Sequence, residues 1–224
     1  MRGPLAIESE RYRKARAELL EAEVALRDQC ERVAALRRQL PLETEVQDYV
    51  LEEDPAALEK DGPFTKVRLS ELFADPVKPL VVYQYMYGGA QVKPCPMCTL
   101  WIDGFNGVAH HLQQRVNFAI IAEVGIGDLR RWGRQRGWQR LKLVSSAGSS
   151  FKTDLGFQDA DGSQHPGVSI FVRAPNASLK HFYSGSAIMK EGLNRGIDLL
   201  SPVWNIIDLT PGGRGDWNAK LEYA

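Results

Sequence analysis

Cys95-Pro96-Met97-Cys98 holds two of the three cysteines in this 224-residue chain, with two residues between the sulfurs. The motif follows Pro79 to Tyr87, a β-branched and aromatic run that reads as a buried strand, and Gly88-Gly89, which breaks it. A helix is expected from the cysteines to about Gln114, with Pro96 in its first turn, where a missing N–H costs little. A sulfur at the start of a helix sits over unpaired N–H groups, whose partial positive charge favours thiolate over thiol. Dithiol–disulfide exchange is the chemistry this placement suits. Cys95, nearer the open helix end, would attack a substrate disulfide, and Cys98, one turn in and more buried, would resolve the mixed disulfide. No metal or organic cofactor is expected.

Two other readings of the pair stand beside this one. C-x-x-C also begins many zinc sites, and His110 and His111 lie downstream. A continuous helix would put His110 roughly 18 Å from Cys98, too far to share a metal, unless Gly104 or Gly107 breaks it. Alternatively, both thiols are simply buried and unlinked, as free cysteines often are.

The chain is 44% hydrophobic, enough for a full core in one or two domains. It carries 28 basic and 28 acidic residues, so no net field favours nucleic acid or an anionic membrane. No apolar signal-peptide segment follows Met1-Arg2-Gly3-Pro4, and no run of apolar residues is long enough to span a bilayer. A cytoplasmic protein is expected. Three cysteines cannot form a disulfide framework, and in a reducing compartment C-x-x-C is more often catalytic or metal-binding.

The elements that must position the cysteines follow from periodicity. Glu8 to Leu40 lacks Gly and Pro and places Tyr12, Leu19, Leu26, Val33 and Leu40 one per heptad, predicting a helix of about 50 Å ended by Pro41. Its narrow, alanine-rich seam suits packing on one neighbour, either the chain's own domain or a second copy, and a homodimer is expected. Cys30 lies beside that seam, as a small packing residue or an intermolecular disulfide partner. Residues 1–40 are therefore read as a helical arm and 41–224 as the globular domain. Strands are expected at Gln47 to Leu51, Phe64 to Leu69, Leu80 to Tyr87, Val116 to Val124, Leu141 to Ser145, Val168 to Arg173 and Leu179 to Tyr183. Ser70 is expected to cap a single turn, and further helices to cover Asp128 to Arg136 and Lys190 to Leu200. Alternating strands and helices with a terminal hairpin indicate an α/β sandwich with a mixed sheet.

This order, strand, C-P-x-C helix, strand, helix, then proline before a hairpin and a final helix, resembles the thioredoxin fold. The resemblance implies a cis Pro166 in His165-Pro166-Gly167, packed beside the sulfurs, with His165 near enough to stabilise the Cys95 thiolate or move a proton. A substrate would lie across that proline surface. More specifically, Asp48-Tyr49-Val50, Cys95 to Phe105, Gly137-Trp138, Val144 to Ser149 and Asp208-Leu209-Thr210-Pro211 resemble a family of bacterial thioredoxin-like proteins known mainly as predicted dithiol–disulfide oxidoreductases. This resemblance spans nearly the whole chain, and its implied partner is a disulfide-containing protein or small thiol.

Two departures from thioredoxins stand out. Pro94 rather than Trp precedes Cys95, and the strand at Leu80 to Tyr87 has no carboxylate to receive the Cys98 proton. Asp103 and Glu123 are the candidates for that role, and Lys93 is either a charge beside Cys95 or a solvated loop residue. Leu69 to Phe73 resembles the entry to peroxiredoxin sheets, which raises thiol peroxidase chemistry, but Val92 stands where peroxiredoxins carry Thr or Ser. A non-catalytic dimeric module built on the long helix is the alternative of another class. Arg130 to Arg140 mixes arginine and tryptophan as nucleic-acid surfaces can, and a solvated helix face with inward tryptophans is the simpler expectation. Ser145 to Ser150 lacks nucleophile-elbow or Walker spacing and reads as a polar loop.

Overall fold

The computed structural model describes residues 7–222; positions 1–6 of the expected arm and 223–224 of the expected domain lie outside the described residues. The chain divides into two units, Met1–Pro41 and Leu42–Ala224. The helix of the first is α1 (Glu10–Arg38), begun by Ser9, whose hydroxyl accepts the Tyr12 N–H at 3.2 Å. None of its residues is buried. No described helix is long and apolar enough to cross a membrane.

The second unit is built on eight described strands: β1 (Glu45–Val46), β2 (Val50–Glu53), β3 (Thr65–Arg68), β4 (Leu80–Tyr85), β5 (Asn117–Ala122), β6 (Lys142–Ser145), β7 (Gly167–Arg173) and β8 (Leu179–Ser186). They form one sheet in the order β1-β8-β7-β4-β5-β6-β2-β3. The pairs β4–β5 and β5–β6 are parallel, and the remaining pairs are antiparallel. The helices α2 (Pro96–Leu112), α3 (Ile126–Arg136), α4 (Phe151–Asp154) and α5 (Pro202–Ile207) cover the sheet. The inner arrangement β8-β7-β4-β5, with α2 crossing between the parallel β4 and β5 and a hairpin on the other side, is thioredoxin-like.

The central strands are apolar because both faces are covered. All six residues of β5 are buried, as are five of the six in β4. One core joins Tyr83, Tyr85, Ile120 and Val168 to α2, α3 and α5, and the other packs Leu51, Leu69, Val82 and Phe151 on the opposite face. Each large side chain so buried contributes about 1.5–3 kcal/mol of transfer free energy. Gly133 lets α3 approach β6, since a Cβ there would stand 2.7 Å from Leu143 Cδ1.

Three local expectations fail for identifiable reasons. The helix expected at Lys190 to Leu200 is replaced by turns, a 3-10 turn at Asp198–Leu200 and the displaced α5. Gly192 and Arg195 take φ of 71° and 78°, and a Cβ on Gly196 would meet the Ser186 carbonyl at 2.2 Å. Ser70 lies inside its 3-10 turn, Leu69–Leu72, rather than capping it, and donates through its N–H and hydroxyl to Asp48, each at 2.8 Å. The arginine-rich segment is not a solvated face throughout. Arg130 is 5% exposed, ion-paired with Asp54 at 3.1 Å, and donates to the carbonyls of Asp54, Ala56, Ala57 and Lys60. Arg134 and Arg136 pair with Asp61 and Asp103, and Trp138 is fully buried.

The loop leading to the cysteines is fixed at Gly88. Its φ is 100°, and a Cβ there would lie 2.1 Å from the Val124 amide nitrogen, which donates to Tyr87 O. Gly88→Ala is expected to lower unfolding stability by about 2 kcal/mol or more in a urea titration, because strained backbone and overlap act together. A change within error would show that the loop relaxes away from β5.

Candidate functional site

α2 begins at a sulfur. Cys95 is its N-cap residue, with φ −66° and ψ 122°, and its Sγ accepts the Cys98 N–H at 3.4 Å. Pro96 fills the first helical position, where its fixed φ suits the turn. The Cys95 N–H donates to Met86 O at 3.1 Å, while its carbonyl accepts the Thr99 N–H at 3.0 Å and the Thr99 hydroxyl at 2.9 Å. The first cysteine is thus held from the strand side and the helix side, and remains half-buried. Cys98, one turn in, is 1% exposed, and both residues are thiols.

The two sulfurs ionise very differently. Donation from the Cys98 thiol, aided by the N–H groups of Cys98 and Met97, outweighs burial and lowers the Cys95 pKa to about 7. Burial drives the Cys98 pKa well upward, and the neighbouring Cys95 charge adds to the rise. The fully buried Tyr83 hydroxyl lies against the Cys98 sulfur without a hydrogen bond of ordinary geometry. The Tyr85 hydroxyl bonds instead to Thr99 Oγ1 at 2.8 Å.

A polar cluster lies behind the pair. Lys152, at 1% exposure on α4, donates to Tyr85 O at 2.7 Å and Gln164 Oε1 at 2.8 Å. Gln164 Nε2 donates to Gly88 O at 2.7 Å and Glu123 Oε2 at 2.8 Å, and Gln158 Nε2 reaches the same carboxylate oxygen at 2.7 Å. Burial lowers the Lys152 pKa to about 8, opposed by the negative charges of Cys98 and Glu123.

In front of Cys98 opens a cavity of about 570 Å³, walled by Met97, Trp101, Trp204, Trp217 and Pro166. Its charged edge is internally paired. Arg214 bonds to Asp198 and Asp208 and stacks 4.7 Å above Trp204.

A family model described as "Bacterial protein of unknown function (DUF899)" matches residues 1–223. The chain belongs to the DUF899 family. No curated protein matches the sequence. Solved structures similar to this DUF899 chain include Mycobacterium tuberculosis AhpC, at 18% identity and TM-score 0.46, covering 71% of this chain and 90% of that one. Enterococcus faecalis AhpC is 16% identical with TM-score 0.47, covering 70% and 85%. Oxidized Prx3 from Vibrio vulnificus is 16% identical with TM-score 0.48, covering 72% and 98%.

The structure brings Cys95, Cys98 and Pro166 to one place and leaves His165 outside it. Pro166 shares the cavity wall with Cys98, but its peptide bond is trans, contrary to expectation: among the described residues no peptide bond is cis. The chain enters β7 extended, from a bridge between Gln158 and Gln164, with Pro166 O accepting the Ala187 N–H at 3.2 Å, so it makes no reversal there. His165 turns to Asp159, 2.7 Å from Nε2, and among the described residues no hydrogen bond or ion pair joins it to either cysteine. Lys93 is exposed. Asp103 is committed to Arg136 and to Trp138 Nε1, the latter at 2.7 Å. α2 runs unbroken through Gly104 and Gly107, so the two histidines sit at its far end, and among the described residues no three metal-ligating side chains cluster. Sequence reasoning missed Lys152 and Gln164; a lysine in a Ser-rich stretch gives no signal of burial.

The lowered Cys95 pKa sets a pH dependence. Below pH 7 its sulfur is mostly thiol and above it mostly thiolate, so its alkylation rate is expected to rise through a midpoint near 7 while Cys98 stays unmodified until unfolding. Peptide mass spectrometry after timed iodoacetamide exposure checks this. A Cys95 midpoint at about 8.5, the ordinary thiol value, would mean that the helix start gives the sulfur nothing.

Proposed function

We propose that this DUF899 chain is a dithiol–disulfide oxidoreductase acting on a disulfide-containing protein or small disulfide. The observation that carries the reading is the opposite displacement of the two sulfur ionisations within one helical turn. Cys95, as thiolate, attacks a substrate sulfur; a mixed disulfide forms and the other substrate sulfur leaves with the electron pair. Cys98 then attacks Cys95, closing the intramolecular disulfide and releasing the second substrate thiol, so the substrate is reduced by two electrons as the pair is oxidised. Residues one turn apart are within disulfide reach.

The cavity supports a substrate with an apolar or aromatic group beside its sulfur, received between Trp101, Trp204 and Trp217. Pro166 supports the same reading as a wall without an N–H, against which a mixed disulfide can lie. His165 takes no part in this reading, since its ring is engaged by Asp159. The arm is assigned to self-association, because Tyr12, Leu19 and Leu26 of α1 form an exposed seam that an isolated helix gains nothing by displaying.

Redox titration with thiol trapping tests the chemistry: the pair is expected to interconvert between dithiol and intramolecular disulfide. Cys95→Ser is expected to abolish exchange and Cys98→Ser to accumulate mixed disulfides. Equal trapping by both variants would overturn the division of labour, and hydrogen peroxide consumption without disulfide exchange would favour a peroxidase. For the arm, Leu19→Glu with Leu26→Glu in the full chain is expected to convert a dimer to a monomer by light scattering. An unchanged mass removes the self-association role.

A further inference from the structure

We propose that the buried ammonium of Lys152 is the charge partner that allows Cys98 to ionise in the resolving step, in place of the carboxylate this site lacks. The inference rests on the oxidoreductase reading and assigns a positioning residue to it.

The argument begins with an unusual burial. Lys152 is almost wholly enclosed, yet its Nζ is held by neutral acceptors, Tyr85 O and Gln164 Oε1, with no carboxylate among the described residues at ion-pair distance. Burying a charge in such company is costly, so an apolar residue would serve the fold better. Its position points to a use. The Tyr85 carbonyl that receives Lys152 is followed directly by the Met86 carbonyl that receives the Cys95 N–H, so the ammonium and the cysteine loop hang on consecutive peptides at the end of β4. The ionisable groups around Cys98 are Cys95 and Tyr83, which oppose a charge on it, and Lys152, which favours one. Around Lys152 stand Cys98 and Glu123, the latter one glutamine away. Cys95 has no comparable coupling to Lys152.

In the step itself the Cys98 sulfur gives up its proton and attacks Cys95. The new S–S bond forms, the Cys95–substrate bond breaks, and the departing substrate thiolate takes up the equivalent of that proton. Lys152 stays protonated and offsets the transient Cys98 charge. Its pKa of about 8 adds a signature. The reactive form, ammonium with thiolate, has the same proton count as amine with thiol. Its population therefore climbs with pH only until Lys152 begins to titrate and is level beyond.

The full chain is mixed with dithiobis-nitrobenzoate, whose first released thionitrobenzoate reports attack by Cys95 and whose second reports resolution by Cys98. In the unaltered chain the second-phase rate is expected to rise with unit slope and flatten near pH 8. Lys152→Gln should slow the second phase at pH 7 about tenfold or more, the effect of one pKa unit, leave the first phase unchanged and abolish the bend. Lys152→Arg should keep the fast second phase while losing the bend, because its charge does not titrate in this range. A second phase in Lys152→Gln with the unaltered rate and bend overturns the proposal. So does an unbroken unit slope in the unaltered chain to about pH 9.5, a measurement that needs no variant to fold. Release of one equivalent only from the unaltered chain would sink disulfide closure itself, and this role with it.

Discussion

Two consecutive carbonyls at the end of β4 hold the site together. Tyr85 O accepts the Lys152 ammonium and Met86 O accepts the Cys95 N–H, so one strand end fixes both the buried cation and the first sulfur. Strand ends in parallel sheets leave peptide groups without ladder partners, and these must be paired from elsewhere when buried. In this chain the partners are the groups with chemistry to do. The strand cannot shift in register without carrying them along, and its pairing with β5 and β7 over most of its length prevents such a shift.

From that anchor the asymmetry of the cysteine pair follows from one turn of helix. Cys95 stands where N–H groups are unspent, and Cys98 stands where they are already committed and where Tyr83 and Trp101 exclude water. Identical side chains three residues apart thus acquire opposite ionisation behaviour. The difference comes from backbone geometry and burial, not from any charged residue beside Cys95.

Much of this was legible in the sequence. The strands β4 and β5 read clearly because covering both faces demands uninterrupted apolar residues, and the C-x-x-C with its internal proline marked the helix start. The arrangement behind the pair was not legible. Lys152 meets Tyr85 across 67 residues of sequence and Gln164 across 12, and nothing local to Phe151-Lys152-Thr153 signals enclosure. The isomer of Pro166 depends on how the Gln158–Gln164 turn delivers the chain to β7, which is a tertiary matter. The helix expected at 190–200 fails because left-handed backbone at Gly192 and Arg195 outweighs propensity. The Arg130 to Arg140 segment misled for a related reason: a guanidinium satisfied by carbonyls looks the same in sequence as one facing solvent.

Arg130 has a consequence for how the chain can vary. Its guanidinium accepts no substitute geometry: it gathers carbonyls from Asp54, Ala56, Ala57 and Lys60 together with the Asp54 carboxylate, so the path of the connection between β2 and β3 is set by one side chain on α3. Connections between strands ordinarily tolerate insertions because their backbone answers only to water. This one answers to a fixed fork of donors. Lengthening it by a single residue would withdraw a carbonyl from a buried cation, so among the surface connections of this domain the one from Asp54 to Lys60 is the least free to drift in length.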